Sequence, residues 1–390
     1  MTAPAPARPA LGELAERVAE VTTRHADRHD RDATFPVEAL EALRETRLLG
    51  LLVPEEYGGL GGGTDDMTDA ARRLGRADMS VAMIFAMHCQ QVAAVVRHAR
   101  GQLREELLPD IAAGRTYLAS VTTEAGNGGA LLSSDTPLSR TDGHLLVDRF
   151  APIVTGGAHA DGFLITMRSP DARAEHDVSL VYAHRGQLEV ATAGDWQPLG
   201  MRASHSGALH LRGPVPDHQV VGEHGRFRDI VSTTFGPLAH LGWSAAWLGA
   251  AEGALSRTAG LLRNPRTRGR ADLASELLLT RIGRARHRLE AVHALLRHTT
   301  EVVAQSSDVS RPPVQLLVNG LKVTASQQCH AAVEDLVDAV GLRHGYLRDS
   351  PTRLERTLRD LRSAALNYSN DRLLTADGKL TLLDSGVALV

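Results

Sequence analysis

The sequence predicts an α+β fold that is mainly α: an N-terminal helical domain over residues 1–115, a middle antiparallel β-domain of barrel or sandwich type over 116–225, and a C-terminal four-helix bundle over 226–390. Three changes of texture predict it. Apolar residues recur at helical spacing from Leu11 to about Ala113, short apolar runs between turn residues follow to about Val221, and long Ala/Leu/Arg segments return from about Phe227. At 390 residues the chain is too long for one simple core.

Taken in order, the first helices are interrupted at Phe35-Pro36, at Val53-Pro54 and at the loop Tyr57 to Gly63. The glycines of that loop do not make a GxGxxG spacing that opens a helix after a strand, so it reads as a turn and not as a phosphate cradle. The middle strands are Gly143–Val147, Gly162–Thr166, Val178–Tyr182 and Gly207–Leu211, each bounded by turn residues. The bundle helices are Leu241–Leu262, Asp272–Ala304 and Val314–Val340, each long enough to span a bundle. Asn264 to Gly269 and Arg311-Pro312-Pro313 mark the corners between them. No internal repeat is present.

Net charge is -3 with a pI near 6.7, and both signs are scattered, which argues against an obligate nucleic-acid or acidic-membrane partner. Lysine is confined to Lys322 and Lys379 while arginine is dense, a bias that matches a GC-rich coding sequence. Cys89 and Cys329 lie far apart without CxxC spacing; they read as buried free thiols, with neither a disulfide framework nor a zinc or other metal site. Met1 to Ala10 lacks the basic start and apolar run of a secretory signal, and no stretch reads as the ~18 apolar residues of a membrane span. A cytoplasmic protein is expected.

Several segments, in the right order, resemble the acyl-CoA dehydrogenase superfamily. LLGLLVPEEYGGLGG (Leu48 to Gly62) looks like its N-terminal signature, and TTEAGNGG (Thr122 to Gly129) resembles its Thr-Glu-Pro-Gly-Ala-Gly-Ser-Asp loop. IVTGGAHAD (Ile153 to Asp161) resembles its Trp-Ile-Thr-Asn-Gly-Gly segment, LGMRASHSGALHLRGPVP (Leu199 to Pro216) its Gly-x-Arg-x-Ser-x-Thr strand, and SPTRLERTLRD (Ser350 to Asp360) its closing Pro-x-Glu-Arg-x-x-Arg-Asp helix. The resemblance implies a homodimer or homotetramer assembled through the C-terminal bundle, with flavin held between the β-domain, that bundle and a neighbouring subunit. It implies flavin contacts from Thr122, Thr123, the Ile153-Val154-Thr155 segment and Ser206, with Arg263 near the pyrophosphate. Thr122 and Thr123 equally suit plain strand ends. FAD is the family cofactor, and FMN stays open because Arg263-Asn264-Pro265-Arg266 replaces the family's Arg-x-x-Phe-Gly.

Where the family carries its catalytic glutamate after Arg359-Asp360, this chain reads Leu366-Asn367-Tyr368-Ser369-Asn370. The family's alternative glutamate falls near Leu238-Ala239-His240, again without a carboxylate. Abstraction of a proton beside a thioester carbonyl needs a positioned base, whose loss costs about 10²–10⁴-fold. One branch of the superfamily lacks the glutamate: two-component (group D) monooxygenases, which take reduced flavin from a separate reductase and form a flavin C(4a)-hydroperoxide with O2. Thr155-Gly156 matches that branch's Ser-Gly beside flavin N(5), and His88 matches a helical histidine of its pocket. A lone histidine on an apolar helix is also a common core residue. The branch's second histidine falls at Asn367. Tyr368 either closes the pocket, donates a hydrogen bond or packs; His240 and Trp243 either line the substrate cavity or belong to the core. Three readings follow: a flavin monooxygenase acting on a small aromatic, indolic or amine substrate of secondary metabolism, an acyl-CoA or acyl-carrier thioester dehydrogenase or oxidase with a non-standard base, and a non-catalytic flavoprotein-like scaffold.

Overall fold

Five helices open the chain: α1 (Leu11–Asp32), α2 (Val37–Glu45), α3 (Thr64–Ala77), α4 (Met79–His98) and α5 (Gly101–Ala112). The computed structural model describes residues 10–390 except 125, 127–130, 268, 270, 271, 384, 385 and 388. Helix α1 buries Leu14, Val18, Thr22, Ala26 and His29, one stripe at helical spacing, and turns its charged face outward. Helix α4 is buried almost all round, as a core helix must be, and Asp78 caps it by accepting the Val81 N–H at 3.1 Å. By length and composition alone this helix would cross a bilayer, which corrects the expectation that no stretch is apolar enough; here it packs inside the protein against α3 and the strands that follow.

The middle region folds into two four-stranded sheets. One has the order β1-β4-β5-β8, built from Leu118–Val121, Gly162–Arg168, Val178–His184 and Val220–Val221. The other has the order β2-β3-β7-β6, built from Ser139–Thr141, His144–Ala151, Ala208–Pro216 and Glu189–Ala193. The predicted antiparallel character fails at one pair: β1 runs parallel to β4, with Leu118 opposite Gly162 and Val121 opposite Ile165. The hairpin β2–β3 lies between them in sequence, long enough to bring the chain back in the same direction. Strand β3 alternates strictly, with Leu145, Val147, Arg149 and Ala151 inward.

Helices resume with α6 (Phe227–Ile230), α7 (Gly236–Arg263), α8 (Glu276–Gln305), α9 (Pro312–Gly341), α10 (Leu354–Leu361) and α11 (Asn370–Leu383). Ser275 fixes the start of α8, four residues later than its predicted first residue Asp272, by accepting the Leu278 N–H at 3.4 Å. Helix α7 is buried along nearly its whole length, between α3 and α4 on one side and α9 on the other. One apolar cluster runs through all three regions, joining Phe85, Val154, Trp247 and Leu336. Cys89 and Cys329 are free thiols buried within it.

Candidate active site

The site begins at the turn after β3. Gly156 has φ +61, and a Cβ there would lie 2.6 Å from the Tyr117 hydroxyl and 2.8 Å from Phe35 Cε2, so only glycine makes this turn. The Tyr117 hydroxyl donates to the Thr155 carbonyl at 3.2 Å, and the amides of Val154 and Gly156 donate to Gly207 and Ser204 carbonyls at 3.1 and 3.0 Å. Thr155 is thereby held between the two strands that flank it. Its Oγ1 accepts from Ser206 Oγ at 3.0 Å, and Ser206 in turn pairs with Ser204 Oγ at 2.8 Å. Thr155 is part-exposed, and neither its amide nor its hydroxyl proton has an acceptor among the described residues.

These features fit a flavin ring, which requires donors at its polar edge and an apolar wall over its face. Two unused donors meet at Thr155, and Ile153, 50% exposed, stands two residues away. Other predicted contacts are arranged differently. Thr123 Oγ1 donates to the Ile153 carbonyl at 2.8 Å and accepts the Ile153 amide at 3.3 Å, so its hydroxyl fastens the end of β1 to this segment. Thr122 lies 3.5 Å from Ser120 through their hydroxyls, and the Val154 side chain is in the core. Within the motif Thr122 to Gly129, Glu124 forms a buried pair with Arg149 at 2.9 Å; Ala125 and residues 127–129 of that motif lie outside the described residues. Arg263 is exposed at the far end of α7, about 35 Å along the helix from His240 at 1.5 Å per residue, and in one protomer it has no place beside that residue.

His88 is fully buried in α4. Its Nε2–H donates to the Leu49 carbonyl at 2.8 Å and its Nδ1 accepts the Leu118 amide at 3.0 Å. Burial pushes its pKa down to about 4. With both ring nitrogens committed to main chain, the predicted role of holding or protonating a reacting oxygen is corrected to one of pinning α4 to β1.

A second cluster lies on α7, where His240, Trp243 and Trp247 share one face at spacings of three and four. The His240 ring is 5.8 Å from Trp243 and 6.2 Å from Tyr368, so the two positions at which a carboxylate base was sought do converge. His240 is buried, and its Nδ1 has no partner among the described residues. Burial and the Lys322 ammonium push its pKa down to about 3. The indole N–H of Trp243 is also unpartnered. Asn367 is part-exposed beside Tyr368, its amide donating to the Ser363 carbonyl at 2.9 Å.

One loop links the two clusters. Met201 donates its amide to Asp360 Oδ1 at 2.6 Å, and Arg359, paired with Asp30 at 2.7 Å, donates to the Leu199 carbonyl at 3.0 Å. A Cβ on Gly200 would sit 2.2 Å from the Arg359 carbonyl, so glycine lets the loop lie directly on α10. The loop then continues to Ser204 and Ser206, and the turn that follows α10 leads to Tyr368. Sequence reading missed Tyr117, Ser204, the Arg149–Glu124 pair and the contacts of Lys322. Two carry a signal in the sequence: Arg149 falls on the inward phase of a strand, and Lys322 interrupts an apolar helix in a chain almost free of lysine.

Residues 10–115 match the model of the acyl-CoA dehydrogenase N-terminal domain, and residues 241–370 that of the acyl-CoA dehydrogenase C-terminal domain. Among curated proteins, the acryloyl-CoA reductase (NADH) of Anaerotignum propionicum is 24% identical over 355 residues, 90% of this chain and 88% of that protein. Among solved structures, the FMN-bound dibenzothiophene monooxygenase TdsC of Paenibacillus sp. A11-2 superposes with a TM-score of 0.85 at 22% identity, covering 96% of this chain and 97% of that one. Butyryl-CoA dehydrogenase of Megasphaera elsdenii superposes with a TM-score of 0.85 at 18% identity over 98% of this chain and 100% of that one.

Proposed function

This chain belongs to the acyl-CoA dehydrogenase superfamily of flavin-dependent oxidoreductases, and from that premise we propose that it is a monooxygenase using reduced flavin and O2. The observation that carries the reading is the pairing of His240 with Tyr368, 6.2 Å apart at the two positions where the family's base would stand. Neither residue is a carboxylate, and among the described residues no carboxylate bonds to either side chain. When bound, reduced flavin supplies two electrons to O2, so that one oxygen atom enters a nucleophilic carbon or nitrogen of the substrate and the other leaves as water.

The protein's own groups then have separate tasks. Thr155 donates its amide and hydroxyl to the ring edge, and the Ser204–Ser206 pair keeps the hydroxyl proton pointed outward. Ile153 covers a face of the ring. Trp243 offers a stacking surface and His240 Nδ1 accepts an N–H or O–H of the substrate, which suits a small aromatic, indolic or amine compound. TdsC has been solved with indole bound, in keeping with such a substrate. Asn367 and Tyr368 close the cavity against water. Arg263 reaches a pyrophosphate only across a subunit contact, so a homodimer or homotetramer goes with FAD, and a site independent of Arg263 goes with FMN. A separate reductase supplies the flavin in reduced form, and the protein works in the cytoplasm.

The names of curated relatives favour a second reading, dehydrogenation of an acyl thioester. It requires a base of pKa near the working pH, and His240, at about 3, is too weak by several powers of ten. One experiment separates the two. The protein is mixed anaerobically with photoreduced FAD or FMN, then with oxygenated buffer and a panel of indoles, phenols and arylamines; hydroxylated product and hydrogen peroxide are quantified. Oxygenated product sustains the proposal. Bleaching of bound oxidised flavin by acyl-CoA thioesters, with no oxygenated product, replaces it by the second reading, and failure to bind flavin at all replaces both by a scaffold.

A further inference from the structure

Lys322 is one of two lysines in a chain that otherwise carries its positive charge on arginine, and its side chain is fully buried in the middle of α9. Removing an ammonium from water costs several kcal/mol unless partners replace its hydration. The partners here are neutral. Nζ donates to the Tyr368 carbonyl at 3.0 Å and to Asn370 Oδ1 at 2.8 Å, and it lies 5.7 Å from the centre of the Trp247 ring. Among the described residues no carboxylate pairs with it. A charge kept without a counter-charge points to what the charge holds.

It holds a strained turn. Tyr368 has φ +48, the left-handed region that a bulky side chain rarely occupies. Next to it, Asn370 is gripped a second time, donating Nδ2–H to Ser326 Oγ at 3.0 Å one turn further along α9. The turn between α10 and α11 is therefore fastened to α9 at two adjacent points, and the Tyr368 ring is left facing His240. Arginine in place of lysine would bring five donors to a pocket that offers two acceptors.

We propose that Lys322 is a positioning residue, whose two hydrogen bonds hold the Tyr368–Asn370 turn in its left-handed conformation and so fix the Tyr368 ring against His240 as one wall of the site. The assignment of that wall to the substrate rests on the function proposed above; the clamp itself does not.

Hydrogen–deuterium exchange of the full-length protein tests the clamp. Lys322→Met, which fills the same volume without donors, is expected to unfold in one transition, to bind flavin as the parent does, and to exchange the amides of residues 366–370 about tenfold faster or more, with α7 and the rest of α9 unchanged. Asn370→Ala keeps the ammonium and removes one acceptor, and is expected to give a smaller rise in the same peptide. The product formed per reduced flavin falls alongside, at unchanged flavin affinity. Unchanged exchange at 366–370 in both variants overturns the proposal, as does exchange that rises equally through α7 and α9. If Lys322→Met does not fold, Asn370→Ala alone decides by the same criterion. Absence of any oxygenated product from the parent protein counts against the proposed reaction and leaves exchange to judge the clamp.

Discussion

A hydroxyl that already accepts a hydrogen bond has its own proton aimed elsewhere. At Thr155 the acceptor side is taken by Ser206, itself tied to Ser204, and among the described residues nothing accepts its own proton. Thr155→Ala is expected to divert reduced flavin to peroxide, lowering product per flavin about tenfold or more; peroxide and product measured together check this. Ser206→Ala frees the Thr155 hydroxyl to turn and is expected to cause a smaller loss. His88→Ala strands the Leu49 carbonyl and the Leu118 amide in the core and leaves a cavity, so it is expected to cost about 2–4 kcal/mol in denaturant unfolding while the folded fraction keeps its coupling. The tight turn that carries Thr155 was legible from Gly156 beside it. For His88 both alternatives were legible, and what decides between them, two main-chain atoms 39 and 30 residues away, leaves no trace in local spacing.

Among elements, the contact of the Leu199–Met201 loop with α10 governs the most. It sets Ser206 at one end and Tyr368 at the other, and it tolerates no side chain at Gly200. Gly200→Ala is expected to destabilise the protein by about 2–3 kcal/mol or more, because backbone and not a flexible side chain must move, and to weaken flavin binding in the same variant. A denaturant titration and a flavin titration of one preparation check both. The helices and most strands could be read from periodicity, since a single stretch contains the whole signal. The Arg359–Asp360 pair was recognisable, yet its work was not: Asp30 is 329 residues from Arg359, and Met201 is 159 from Asp360. The parallel β1–β4 pair was hidden for the same reason, because nothing within either strand encodes its partner's direction.

For the whole molecule, buried titratable groups set the response to acid. His88 and His240 are neutral in the fold, with pKa pushed down to about 4 and about 3 by burial, against 6.5 when unfolded. The unfolded chain therefore binds more protons below 6.5, and the stability these groups contribute is whole above that pH and is lost as pH falls towards 4 and 3. Asp360 works the other way: burial and Asp78 raise it from 3.8 to about 7, so its contribution is whole below 3.8 and is lost as pH rises through 7. Between pH 4 and 6.5 the two histidines, together with His98 and His159, which burial also lowers, make the denaturant midpoint fall with acid, opposed by Asp360 and by Asp78, whose carboxyl burial also raises. Asp360→Asn is expected to steepen that fall. The order helix, sheet, helix was legible in the changes of texture; the shared core through all three was not, since it is a property of their contact.

The chain contains three tryptophans. Trp243 and Trp247 stand beside His240 and Lys322, and Trp196 donates its indole N–H to the Arg202 carbonyl at 3.1 Å, in the loop that leads to Ser204 and Ser206. Every indole thus borders one of the two clusters or the loop between them. The protein's own ultraviolet emission is consequently a report on this region and on little else. Occupancy, closure and release become visible in it without any attached dye.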